Sequence, residues 1–119
     1  NVRTIQNEAF YGCTSLSKVT FNEGLQSIAT GAFYNCYNIT ELVLPSTIRN
    51  LTNSTFYRCT NLQTVVIKSP NIVNISNNTF PTSINAIYVR DELIDQYPNY
   101  AYWEMYSQYL RPLSEWEAA

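Results

Sequence analysis

At 119 residues the chain is long enough to bury one hydrophobic core and too short for two. Seven Lys/Arg against nine Asp/Glu leave a net charge of −2, which argues against nucleic acid, whose binding relies on clustered Lys and Arg. There is no histidine, so the commonest catalytic base and metal ligand is missing, and no run approaches the roughly 18 apolar residues of a membrane span.

The charge is divided along the chain. Residues 1–90 carry six Lys/Arg and three Glu, whereas residues 91–119 carry one Arg and six acids. No leader pattern opens the sequence. It starts inside a repeat, which reads as a mature fragment or as a trimmed piece. Asparagine is abundant, and sequons occur at Asn38, Asn50, Asn53, Asn74 and Asn77. Asn suits tight turns, and an Asn-rich chain produces sequons by chance, so these read as turn residues and not as glycan sites.

Taken in order, the chain repeats itself. Ala9-Phe10-Tyr11…Cys13 returns as Ala32-Phe33-Tyr34…Cys36, as Thr55-Phe56-Tyr57…Cys59, and in degraded form as Thr79-Phe80, at steps of 23, 23 and 24 residues. A fixed period in this range means one supersecondary unit stacked on its neighbours. Val2, Leu25, Ile48 and Ile72 open the units, and Ile5, Ile28, Leu51 and Ile75 follow three residues on. After each Phe come Leu16, Ile39, Leu62 and Ile84, and then the pairs Val19/Phe21, Leu42/Leu44, Val65/Ile67 and Ile87/Val89. These closing segments alternate apolar and polar, the period of a strand, and each returns in the same direction, so the sheet is expected to be parallel. Adjacent strands in such a sheet lie about 4.8 Å apart. The rest of each unit has room only for a brief helical or 3-10 turn bearing the Phe, with a small residue beside it so that the turn sits close to the sheet.

The motifs Ala-Phe-x-x-Cys-x-x-Leu at 9–16, Ala-Phe-x-x-Cys-x-x-Ile at 32–39 and Thr-Phe-x-x-Cys-x-x-Leu at 55–62 resemble those of the BspA-like leucine-rich repeats, the Treponema-type class with a 23-residue unit. The resemblance covers residues 1–90. It implies an α/β leucine-rich-repeat solenoid of four rungs, with a short-stranded parallel sheet and short helical or 3-10 turns on the convex side. The usual leucine-rich asparagine position falls on Gly24, so no asparagine ladder is expected. The fourth unit is shortened and lacks the Cys, as suits a terminal rung.

Residues 91–119 read as a C-terminal helical cap of the same domain. Asp91 is expected to cap a short helix ended by Pro98, and Asn99 a second one carrying Trp103, Tyr106 and Leu110 at helical spacing up to Pro112. Such a pair would cover the last open rung, while the edge at Lys18–Phe21 would be bare.

Little in this inventory carries chemistry. Cys13, Cys36 and Cys59 form no CxxC pair and no zinc site. In a stacked repeat their Cα separation alone does not exclude a disulfide. Parallel Cβ directions favour buried free thiols packing as small hydrophobes. Serine at position 36, lacking a partner, would then cost about 1–3 kcal/mol. Phe10, Phe33, Phe56 and Phe80 form the structural ladder, each worth roughly 1.5–3 kcal/mol if fully buried. Asp91, Glu92 and Asp95 are helix-start charges, not catalytic acids. With no Gly-rich phosphate loop and no nucleophile–base pair, no enzyme, cofactor or metal is expected.

Two surfaces remain. Tyr11, Tyr34 and Tyr57 stack in register, either as a convex row lying on neighbouring coils or as an aromatic stripe for sugar or protein. On the outward face of the sheet, Thr20, Val43, Val66 and Tyr88 form one column, Lys18, Glu41, Thr64 and Ala86 a second, and Asn22, Pro45, Lys68 and Arg90 a third. Valine there is either β-propensity or an apolar contact patch rimmed by Lys68 and Arg90. As a patch, it would accept Asp at 43 and 66 with loss of partner binding and little loss of stability. The resemblance implies a bacterial secreted or cell-surface module that binds a protein ligand, such as a host or neighbouring-cell surface protein, in adhesion. A structural spacer or capping role in a longer surface protein, or glycan binding along the tyrosines, are the alternatives.

Overall fold

The structure, a computed structural model, describes residues 3–6, 10, 12–33, 35–52, 55–56, 59–76 and 78–118. Two parallel sheets run side by side through it. The larger takes the closing segment of each unit: β2 (Lys18–Thr20), β4 (Glu41–Leu44), β6 (Thr64–Ile67), β7 (Ala86–Val89) and β8 (Leu110–Pro112), in that spatial order. The smaller is made of β1 (Thr4–Ile5), β3 (Ser27–Ile28) and β5 (Asn50–Leu51), with a further parallel bridge from Asn50 to Asn74. Leu42 pairs with Val65, Val65 with Ile87 and Ile87 with Leu110, so the register advances by about one repeat at every step. The second sheet is an addition to what the alternation pattern predicts. Two residues per strand are too few for a period to show, yet Ile5, Ile28 and Leu51 point into the core from it.

Between the sheets, the segment bearing each Phe is held by tight i to i+3 turns and not by a helix. Cys36 N donates to Phe33 O at 3.1 Å and Cys59 N to Phe56 O at 3.0 Å. The turn needs a left-handed residue just before the cysteine, and Gly12 (φ 72°) and Asn35 (φ 64°) provide it one repeat apart. Across the rungs, Phe10 N donates to Ala32 O, Phe33 N to Thr55 O and Phe56 N to Thr79 O, at 2.7, 3.3 and 3.0 Å. The small residue beside the Phe is therefore squeezed between two coils. Where it is Thr55 or Thr79, the buried hydroxyl donates to the carbonyl three residues back, at 2.9 Å in both cases.

The rings stack directly. Centroids lie 4.9 Å apart for Phe10–Phe33, 5.3 Å for Phe33–Phe56 and 6.3 Å for Phe56–Phe80, with interplanar angles of 6°, 25° and 4°. Phe33, Phe56 and Phe80 are buried core, as expected of the ladder, but Phe10 is 38% exposed and so is only partly core. Among the described residues, the ring stacked on it is that of Phe33. The other first-unit residues, Cys13, Leu16, Val19 and Phe21, are likewise only partly covered.

The C-terminal segment departs furthest from expectation. It is not a pair of helices but a further turn of the repeat. Three short 3-10 helices, Asp91–Leu93, Tyr97–Asn99 and Trp103–Tyr109, lead into β8, which lies 23 residues beyond β7 in register. Trp103 stands one period after Phe80 and packs on it with centroids 6.0 Å apart. Neither Asp91 nor Asn99 caps a helix: Asp91 is the first residue of its 3-10 turn and Asn99 the last of its own. Trp103 and Tyr106 keep their helical spacing, both buried on the 3-10 helix Trp103–Tyr109, whereas Leu110 leaves it to pair with Ile87 in β8.

This coil also finishes the hydrogen bonding of the fourth. Phe80 N donates to the Tyr106 hydroxyl at 3.3 Å, where earlier rungs use the next backbone carbonyl. Val73 N donates to the Tyr97 hydroxyl, and the Trp103 indole N–H donates to Val73 O at 2.7 Å. Burial of Tyr97 pushes its hydroxyl up to about 12. Aromatic side chains with polar tips thus replace the missing peptide partners.

Phe33→Ala should lower stability by about 3–5 kcal/mol by opening a cavity between two rings. Phe10→Ala should cost clearly less, because the ring is already part-exposed. Urea denaturation midpoints of the two variants provide the check.

Candidate functional site

The three cysteines are free thiols. Cys36 Sγ donates to Phe10 O at 2.9 Å and Cys59 Sγ to Phe33 O at 3.2 Å. They therefore pack as hydrophobes and also occupy a carbonyl of the preceding coil, so serine at position 36 would meet an acceptor and not a void of polarity. Cys13 is only half-buried. Burial pushes Cys59 up to about 12 and raises Cys36 too, which keeps both protonated and unreactive.

Asparagine side chains build a short ladder that the sequence analysis does not anticipate. The Asn38 amide donates to Thr14 O, and the Asn61 amide, 23 residues on, to Tyr37 O at 2.7 Å. Asn74 donates to the Asn50 carbonyl oxygen at 3.0 Å. Three sequon amides thus hold coils together, while Asn53 and Asn77 lie outside the described residues. Tyr11, Tyr34 and Tyr57 also lie outside them, so the tyrosine row stays an expectation.

The outward face of the larger sheet brings together the other candidates. Thr20, Val43, Val66 and Tyr88 are successive partners in the β-ladder, as are Lys18, Glu41, Thr64 and Ala86. Thr20 is exposed, but Val43 is 6% and Val66 0% exposed. The expected open apolar patch is therefore absent, because the chain covers it. Beyond β8 the helix α1 (Leu113–Ala118) crosses the face against β6, β7 and β8. Leu113, Trp116, Val43, Val66 and Tyr88 form a cluster separate from the main core. An Asp at 66 would be buried, so it would cost stability and not merely binding. Within the sequence the signals for α1 are slight, an apolar pair three residues apart after Pro112.

At the C-terminal ends of the strands, α1 and the sheet enclose an open cleft of about 720 Å³. Lys68 and Arg90 line it together with Glu23, Ser46, Asp91 and, from α1, Ser114 and Glu117. The Lys68 ammonium stands 5.7 Å from the Trp116 ring centroid, within cation–π range. Arg90 donates through Nε to Lys68 O at 3.0 Å and pairs with Glu92 at 3.8 Å.

Two carboxylates in the cleft repeat one device at a 23-residue offset. Glu23 accepts the Ser46 N–H at 2.9 Å and its hydroxyl, and Asp91 accepts the Ser114 N–H at 3.1 Å and its hydroxyl at 2.6 Å. Asp91 thereby holds the start of α1 and not of its own helix. Both carboxyls are held below the usual range, first by the serine hydroxyl and then by the backbone N–H. Groups kept ionised in this way are poor general acids. The carboxylates hold Ser46 and Ser114, one coil on in each case.

Residues 1–107 match the family profile described as BspA type leucine rich repeat region, in six copies. The chain belongs to this family. The BspA-type match runs past residue 90 into the coil that the structure adds after β7, so the repeat extends beyond the four rungs read from the Phe motif. No curated protein matches the chain. Leucine-rich repeats are in general non-catalytic modules for protein interaction. No described helix is long and apolar enough to cross a membrane.

Asp91 favours the folded state only while ionised. Its folded pKa is depressed, so this stabilisation is present above the unfolded pKa and is lost as pH falls through the folded one. The unsubstituted chain should therefore exceed Asp91→Asn in stability near neutral pH, and the gap should close on acidification through the carboxylate range. Urea midpoints of both chains against pH measure it. A gap independent of pH would contradict the assignment.

Proposed function

We propose that this chain is the protein-binding module of a bacterial secreted or cell-surface protein, serving adhesion to a host or neighbouring-cell surface protein. In this reading residues 3–112 form one solenoid of stacked coils, and residues 113–118 lie on its outward sheet. Partner contact is made at the open end of the outward column, at Thr20 and Lys18, while Val43, Val66 and Tyr88 lie under residues 113–118. The observation that carries the reading is membership of the BspA-type repeat family, together with a regular outward sheet face whose exposed end carries Lys18 and Thr20. Extended repeat surfaces bind by shape over many rungs, which suits a folded protein better than a small molecule.

A photo-crosslinking amino acid at Thr20 should trap discrete surface proteins of host or neighbouring cells. The same residue at Arg49, exposed just before β5, should trap far fewer. Equal labelling at both positions, or none at either, would reject the contact face and favour a spacer.

A further inference from the structure

The smaller sheet has an outward side too, and what stands on it forms two rows. Gln26 N donates to Arg3 O at 2.7 Å, and Arg49 N donates to Gln26 O at 2.8 Å, so Arg3, Gln26 and Arg49 lie on successive coils. Beside them run Thr4, Ser27, Asn50 and Asn74, in register through β1, β3, β5 and the bridge to Asn74. All of these side chains are exposed except that of Ser27, which is half-buried. The second row is tied along its length, with the Thr4 and Ser27 hydroxyls 3.4 Å apart and Asn74 donating to Asn50 at 3.0 Å. Hydroxyl and amide groups are thus set at fixed places on every coil.

The guanidinium groups of Arg3 and Arg49 hold nothing in the fold. Among the described residues neither has a hydrogen-bond or ion-pair partner, whereas Arg90 is engaged with Glu92 and Lys68 O and Arg111 with its own backbone. Six of the nine acids follow residue 90, and Glu23 is taken up by Ser46. The two rows themselves contain no acid and no aromatic ring. Two strand spacings put Arg3 and Arg49 about 10 Å apart, with the Gln26 amide between them.

Each guanidinium presents a planar fork of N–H groups that fits a carboxylate or sulfate. The hydroxyls and amides beside it both donate and accept, as sugar hydroxyls require. A pyranose ring in a linear chain is about as long as a coil is deep, so successive sugars meet successive coils and every second one meets an arginine. Single-stranded nucleic acid would want aromatic platforms for its bases, and a folded protein a pocket for an apolar anchor. Neither row supplies them.

We propose that the outward face of the smaller sheet binds a linear anionic polysaccharide, with its acidic groups on Arg3 and Arg49 and its hydroxyls on Gln26 and the row from Thr4 to Asn74. This goes beyond the protein-contact reading and does not rest on it, because Lys18 and Thr20 belong to the other sheet. The occupant is a sugar chain, so Arg49 remains the comparison position for protein capture.

The test uses the full chain and a fluorescent heparin oligosaccharide. By fluorescence anisotropy at low salt the unsubstituted chain should bind it, and binding should weaken steeply as salt rises. Arg3→Gln/Arg49→Gln should weaken binding at least tenfold and flatten the salt dependence. Lys68→Gln/Arg111→Gln, which removes equal charge from the larger sheet and its rim, should stay within twofold. Asn50→Asp keeps an acceptor for Asn74 but sets an anion beside Arg49, so it should weaken binding while leaving both arginines in place. A hyaluronan oligosaccharide, which bears carboxylates alone, tells whether carboxylate suffices, and binding of either sugar supports the proposal. Failure of both sugars to bind, equal loss in the two double variants, or tighter binding of polyglutamate or single-stranded DNA overturns it. None of these outcomes bears on capture at Thr20, which tests the contact module separately.

Discussion

A phenylalanine ring held between two others, one repeat before and one repeat after, is the contact on which the rest of this structure depends. Phe33 lies between Phe10 and Phe56 and is almost wholly removed from water. No single unit can bury its own ring, since each face needs a neighbour. The backbone obeys the same rule: the amide of each Phe donates one coil forward, and the thiols of Cys36 and Cys59 donate one coil back. Packing and hydrogen bonding therefore demand the same 23-residue offset. That agreement between levels is what selects one register over its neighbours.

After Phe80 the Phe motif gives way to Trp103, and what the change must supply is polar as much as apolar. Trp103 supplies the next ring for Phe80, yet a ring alone would leave the peptide groups of Val73 and Phe80 buried without partners. Tyr97, Trp103 and Tyr106 answer both needs, with aromatic bodies against the last rung and polar tips on its backbone. Beyond them, β8 continues the sheet and turns the remaining residues back over its outward face. The end of the repeat and the covering of Val43 and Val66 follow from one path of the chain.

The repeat was legible because its signal is carried by large buried side chains at a fixed interval. Phe, Cys and the alternating strand residues cannot move without opening a cavity. The small second sheet was not legible, since two-residue strands show no period. The turn bearing the Phe is closed by one i+3 to i hydrogen bond, a single turn of 3-10 type, within the brief helical or 3-10 turn expected. The C-terminal coil was misread for a sharper reason. Trp103, Tyr106 and Leu110 fit a helical stripe, while their distance from Phe80 and Ile87, one repeat, fits the ladder as well. Local periodicity and long-range period competed, and burial next to Phe80 decided. The column Thr20, Val43, Val66 and Tyr88 does lie in register on the outward side of the sheet, but it was taken as open, for nothing in residues 113–118 announces where they will lie. Ser46 and Ser114, each 23 residues after an acid, were the available clue.

The proposed contact face lies on the outward side of the larger sheet. Its open end carries Lys18 and Thr20, and its other part is occupied by α1 over Val43, Val66 and Tyr88. Both statements presuppose that residues one repeat apart lie against each other. Nuclear Overhauser contacts in solution measure that directly. Cross-peaks should join the rings of Phe33 and Phe56, and the backbone protons of Leu42 and Val65 should show the parallel-strand pattern. Rings without mutual contacts, or an antiparallel pattern between these strands, would contradict the account.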